Sequence, residues 1–128
     1  MKKNLILFCI SIVFISCTNR CIEDISFKNF YFSKLNQIVE YDNYTLTDTT
    51  ITTESWINFY YNTAYLYFLT GHQFRYVATE PPGYTSELDL KADIKDLKKW
   101  YNENKCGMTK EKADSIVNAN PAFLNFKP

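Results

Sequence analysis

The chain has 128 residues, with 14 basic and 14 acidic side chains, one histidine and a formal net charge of zero. It lacks the basic excess that phosphate neutralisation requires, so the composition excludes nucleic acid as the expected partner. Ten Tyr, ten Phe and two Trp against three Gly and four Pro describe a domain with a large aromatic core, and the length leaves no comfortable room for a second one.

The first element is a leader. Lys2 and Lys3 precede an apolar run from Leu5 to Ile15 that ends at Ser16-Cys17, the order of parts in a secretory signal. This run of 11 residues falls short of the roughly 20 that cross a hydrocarbon layer as a helix, which disfavours a permanent transmembrane span. An ordinary signal peptide ends at small residues and has no need of a cysteine. Phe14-Ile15-Ser16-Cys17 resembles the lipobox of bacterial lipoproteins, with Phe14 standing where Leu is usual. In that family the signal is cut before the cysteine, whose thiol is diacylated and becomes the new N-terminus. The resemblance implies a signal peptide over 1–16, palmitate-like acylation of Cys17, a lipidated tether over 17–25 and a globular domain over 26–128. Thr18, in place of the Asp that favours inner-membrane retention, implies an envelope protein of the outer membrane. Acyl chains anchor by burying methylenes at about 0.8 kcal/mol each, and two or more hold stably where one does not.

Loss of Lys2 and Lys3 with the signal leaves 112 residues carrying 12 basic and 14 acidic groups, a net charge of −2. It also removes Cys9. With Cys17 taken by lipid, Cys21 and Cys106 remain, and in an exported domain such a pair reads first as one disulfide. The alternative is two unpaired thiols. Two Cys and one His do not make the usual four ligands of a metal site, so neither a metal nor any other cofactor is expected.

The next stretch, "ISFKNFYFSKLNQIVEY", sets Phe27, Tyr31, Leu35 and Ile38 on one helical stripe, although its aromatic density also suits a strand. "YTLTDTTITTE" alternates loosely and is rich in Thr, which predicts extended chain or a long connection. From Thr53 to Thr70, Ile57, Tyr60, Tyr61, Ala64, Tyr67 and Phe68 recur at helical spacing, with Thr52 or Thr53 as the N-cap and Gly71 as a left-handed C-terminal cap. The rival is a hairpin turning at Asn62-Thr63, since Trp, Ile, Phe, Tyr and Thr all favour strands.

Pro81, Pro82 and Gly83 break the pattern as a loop. A helix over Ser86 to Asn104 follows, with Leu90, Ile94, Leu97 and Tyr101 on one face, Trp100 beside it, and i, i+4 charge pairs Glu87–Lys91 and Lys99–Glu103 outside. It ends near Gly107. Thr109 caps a short last helix with Ala113, Ile116 and Val117 inward and Pro121 beyond its end. The fold class expected is mainly α: a single small domain of three to four helices, with at most a short β ribbon near the N-terminus.

Two pieces of the C-terminal half, Leu69-Thr70-Gly71 and the run Asp96, Trp100, Tyr101, Asn104 and Lys105, resemble small HEAT-like helical lipoproteins. The resemblance spans about 40 residues and departs from the commoner form at Lys99-Trp100. It implies a helical packing unit and carries no catalytic residue.

Most of the rings must build the core. Phe59, Tyr65 and Leu66 lie off the main stripe of their helix, which makes them candidates for a second packed face or a partner-binding surface. Catalytic residues are not expected. His72 follows the cap glycine, where a helix-dipole or surface role is commonest. Ser55, Ser86 and Ser115 sit in no nucleophile motif, and Asp93 and Asp96 lie among lysines on what reads as a helix surface. Two functions are therefore expected to compete: a lipid-anchored, non-catalytic module that binds an envelope protein, and a small-molecule or glycan-binding lipoprotein using a Tyr-rich surface. A flat aromatic patch favours the first, and a concave pocket with convergent polar groups the second.

Overall fold

The computed structural model describes residues 20–47 and 51–126; the expected signal peptide and Cys17 lie outside them. Asp24 begins α1 (Ile25–Thr47), its Oδ1 accepting from the Phe27 amide at 2.5 Å and so satisfying one of the free N–H groups of a helix start. Phe27, Tyr31, Leu35, Ile38 and Tyr41 form its inner stripe, and all are buried. Helix prevails over strand here because these five side chains meet one core at a 3.6-residue period.

The helix also outruns the sequence pattern. Residues 44–47, expected as extended chain, continue α1. Tyr41 Oη donates to the Pro82 carbonyl at 2.9 Å and Asp42 Oδ1 accepts from the Tyr84 amide at 3.3 Å. These contacts fix the helix close to its end, and adding turns to a formed helix is cheap even for Thr.

α2 (Thr53–Thr70) has the span that its caps predict: Thr52 accepts from the Ser55 amide, and Gly71, at φ 74°, donates its N–H to the Tyr67 carbonyl. The hairpin alternative is gone, since the helix runs unbroken through Asn62 and Thr63. Its inner face is not the expected stripe. Ile57 and Tyr67 are 43% and 39% exposed, whereas Phe59, Asn62, Thr63, Leu66 and Leu69 are buried. The helix packs against α1 on one side and the C-terminal elements on the other, so its buried arc is wide and its centre is set by neighbours.

α3 (Glu87–Asn104) starts at Ser86, whose hydroxyl accepts from the Leu88 amide, and buries Leu90, Leu97 and Tyr101. Lys91–Glu87 and Lys99–Glu103 lie on its outside at 2.7 and 3.9 Å. α4 (Lys110–Asn118) is capped by Thr109 and buries Ala113 and Val117. Ile116, expected inward, is 40% exposed, because a helix of 9 residues presents only one narrow i, i+4 row to the core. A 3-10 turn over Pro121–Phe126 sets Phe123 into the core. The expected β ribbon is reduced, among the described residues, to two isolated bridges, Glu23 with Cys106 and Val77 with Gly83.

Cys21 and Cys106, separated by 85 residues, are bonded with Cα atoms 4.9 Å apart. The bond ties the start of α1 to the end of α3. Beside it Tyr101 Oη donates to Glu23 at 2.8 Å, and that bond, with Lys28, holds the Glu23 carboxyl below its usual range. The Pro82 carbonyl lies at the other end of the molecule, against Tyr41 and about 24 Å along α1 from Ile25.

Closing so long a loop restricts the unfolded chain by about 4 to 5 kcal/mol in the loop-entropy account. The Cys21→Ser, Cys106→Ser double variant is expected to lose up to that much stability. Denaturant unfolding of oxidised wild type beside the variant measures it, and equal midpoints would show that the bond contributes nothing.

Candidate functional site

From Gly71 the chain runs extended along α2 with a two-residue period. His72, Phe74 and Tyr76 are half-buried, and Gln73, Arg75 and Val77 are exposed. Among the described residues the segment has one ladder-type pairing, Val77 with Gly83, and a side chain holds it elsewhere. Asp93 of α3, fully buried, accepts from the Arg75 amide at 2.9 Å and the Tyr84 hydroxyl at 2.8 Å through Oδ2. Its Oδ1 meets the Arg75 guanidinium and, at 3.0 Å, His72 Nε2. Arg75 reaches on to Asp96 at 3.2 Å. Hydrogen bonds to Asp93 and Asp96 raise the Arg75 guanidinium, and burial, aided by the Asp93 charge, pushes the Tyr84 hydroxyl far up.

This corrects two expectations. Asp93 is not a solvated surface carboxylate but an internal acceptor, because a buried charge is tolerated only when donors surround it. His72 is not a free helix-end residue, since it pairs with that carboxylate and its ring meets Phe74 edge-on at 5.1 Å.

The segment so held forms one wall of an aromatic cleft. Gln73, Phe74 and Tyr76 face Tyr67 and Phe68 of α2, Thr63 and Ala64 lie on the α2 side, and Phe126 contributes from the C-terminal turn. The volume is about 230 Å³. Tyr67 and Phe126 remain 39% and 41% exposed at its edge. Thr63 is buried with its hydroxyl donating to the Phe59 and Tyr60 carbonyls, and Gln73 brings an exposed amide to this space.

The three positions expected at a partner surface are elsewhere. Phe59, Tyr65 and Leu66 are 1%, 2% and 0% exposed, so they serve the second packed face of α2 and present no docking surface. Phe59 stacks on Tyr41 with ring centres 4.4 Å apart and meets Tyr76 edge-on. Tyr65 donates to Asp114 of α4 at 2.7 Å. Of the other expected positions, Cys21 and Cys106 are joined, and Cys17 lies outside the described residues. Of the cleft rings, Phe74 and Tyr76 were legible only through the alternation in "HQFRYV", a signal confined to six residues.

A second polar group is enclosed nearby. Lys34, 6% exposed, donates to Asn62 Oδ1 at 3.1 Å and lies 4.5 to 4.8 Å from the ring centres of Phe30, Tyr61 and Tyr65. Burial pushes its ammonium down to about 8, while the ring faces and Asp114 act to keep the charge. Burial would raise the Asp114 carboxyl, but hydrogen bonds from Lys110 and Tyr65 outweigh it and hold the group low. The arrangement is a filled cage, with the cation supplied by the chain itself.

No protein-family model, curated protein or solved structure matches the chain. The site is therefore read from its own chemistry.

Asp93→Ala leaves the Arg75 amide, the Tyr84 hydroxyl and His72 without their acceptor. It is expected to cost about 3 to 5 kcal/mol, as for one partner of a buried pair, and to speed amide exchange over residues 72–77. Unchanged exchange in that segment would refute the assignment. Lys34 gives a pH signature. Between pH 8 and 10 the unfolded chain keeps the Lys34 proton while the folded chain releases it, so stability rises with pH across that window. Above about 10 the order reverses. Tyr31, Tyr41, Tyr65, Tyr84 and Tyr101 all titrate higher when folded, Tyr41 at about 12, so stability then falls as pH climbs. Lys34→Met is expected to flatten the rise and leave the fall, read from unfolding midpoints across the pH series.

Proposed function

We propose that this chain is a lipid-anchored, non-catalytic lipoprotein of the cell envelope, sorted to the outer membrane, whose helical domain binds another envelope protein. The observation that carries the reading is the Cys21–Cys106 bond, which fixes one end of the domain four residues from Cys17. A disulfide belongs to an exported compartment. Acylation of Cys17 then puts the bonded end at the membrane and turns the Pro81-Pro82-Gly83 loop away from it.

The aromatic cleft supports a protein partner over a free ligand. Ligand pockets commonly enclose about 300 to 1,000 Å³ with converging polar groups. The cleft, at about 230 Å³, is smaller and ring-lined, a size that suits one apolar side chain projecting from a partner. Half-exposed Tyr and Phe are also the residue types that interface cores favour. The glycan reading draws on the same rings and on a wider groove of about 420 Å³ along α1, lined by Asn29, Phe32, Ser33, Asn36, Gln37 and Glu40, so the two are separated by experiment.

Wild-type protein captured from detergent-solubilised envelope membranes is expected to retain a defined partner, and Tyr67→Ala with Phe126→Ala to lose it at unchanged thermal stability. Release of the bound material by soluble envelope glycans would favour the glycan reading instead. Cys17→Ser is expected to abolish labelling by a clickable palmitate analogue, and label persisting in that variant would remove the anchor from the proposal.

A further inference from the structure

The bonded end of the domain leaves two large apolar side chains in solvent: Ile22 is 81% exposed and Ile25 62%. Scattered exposed apolar residues are ordinary on protein surfaces. These two are distinguished by where the chain holds them. Ile22 follows Cys17 by five residues, so even a fully extended chain keeps it within about 18 Å of that cysteine. It is also not on a free tether, since Cys21 is bonded to Cys106, Glu23 bridges to Cys106, and Ile25 is the first residue of α1.

The charges at this end are compatible with an anionic lipid surface. Lys28 and Lys105 both pair with Glu23, at 3.1 and 3.6 Å, and Arg20 is exposed. Lys112 adds a fourth cation, its ammonium at the Gly107 carbonyl beside Cys106, and against these four stand Glu23, Asp24, which caps α1, and Glu103, which pairs back with Lys99. Basic groups beside apolar side chains are the pattern by which proteins lie in a bilayer interface.

Resting on the lipid-anchor reading, we propose that this end is a membrane-docking face, with Ile22 and Ile25 entering the boundary between headgroups and acyl chains beside the lipid on Cys17. Two isoleucines are too little area to bind a bilayer unaided. The acyl chains make their insertion an intramolecular step at high effective concentration, and the apolar contact then converts a swinging tether into a fixed orientation. The start of α1 and the end of α3 face the bilayer, and the first turn of α3 points away from it.

The test uses the full-length acylated protein in vesicles of phosphatidylethanolamine and phosphatidylglycerol, with bromine on the acyl chains as the fluorescence quencher. Ile22→Trp and Ile25→Trp report the docking face. Leu88→Trp is the control, as Leu88 is 76% exposed in the first turn of α3, at the far end of that helix from Cys106. Each is read against the wild-type signal of Trp56 and Trp100. Added emission that is quenched and blue-shifted at positions 22 and 25, but unquenched at 88, is the expected result. Acylated protein whose added emission is unquenched at 22 and 25, or equally quenched at 88, overturns the docking face while leaving the anchor intact. Protein without the acyl mass by intact mass spectrometry removes the anchor and the face together.

Discussion

A buried carboxylate must be surrounded by donors, and Asp93 obtains them from a segment that has no sheet to join. The chain between α2 and α3 runs from Gly71 to Ser86, and its only ladder-type pairing among the described residues is the bridge between Val77 and Gly83. Its order comes from side chains. Asp93 takes the Arg75 amide and the Tyr84 hydroxyl, while Asp42 of α1 takes the Tyr84 amide. Both sides gain, since the carboxylate recovers the hydrogen bonds it lost with water and the extended backbone gains acceptors for its N–H groups. The wall of the aromatic cleft stands where it does because of this exchange.

Much of the rest of the interior is ring against ring. Phe27 and Tyr31 of α1 meet Tyr101 of α3 at 5.7 and 5.2 Å, and Tyr31 stacks on Trp100 at 5.7 Å. Rings of this size fill the space between the two helices, and stacked or tilted geometry at these separations suits their quadrupoles. Tyrosine adds a polar end to each such contact, which has to be satisfied when buried. Tyr31 donates to the Leu97 carbonyl, Tyr41 to the Pro82 carbonyl and Tyr65 to Asp114. The same density of ring faces admits Lys34, whose charge would be costly in an aliphatic core and is here met by three rings and an amide.

The two ends of the domain differ in kind. At one, a disulfide, a bridge and the Glu23 ion pairs bind the first residues of α1 to the last of α3. At the other, a loop rich in proline leans on Tyr41. The cleft is open to solvent between the α2 surface and the Asp93-held segment. A domain fixed at one end and accessible elsewhere is suited to presenting a surface, in keeping with the interaction role proposed for it.

What the sequence by itself determined is local. Thr52, Ser86 and Thr109 are helix starts because a short hydroxyl side chain bonds the free amides of the first turn, and Gly71 is a helix end because only glycine takes a left-handed φ without strain. The stripe of Phe27, Tyr31, Leu35 and Ile38 identified a buried face because its period matches one helix and one core. One disulfide between Cys21 and Cys106 was the first reading of the sequence, with two unpaired thiols as its alternative, and the folded chain joins them. Tertiary structure decided the rest. α2 is aromatic all round, so its pattern has no single maximum, and only contact with α1 and the C-terminal elements turned Phe59, Tyr65 and Leu66 inward and left Ile57 and Tyr67 outside. Asp93 reads as a surface residue among lysines because its donors lie 9 to 21 residues away in the chain. No local window contains them, and only the folded chain brings those donors to one carboxylate.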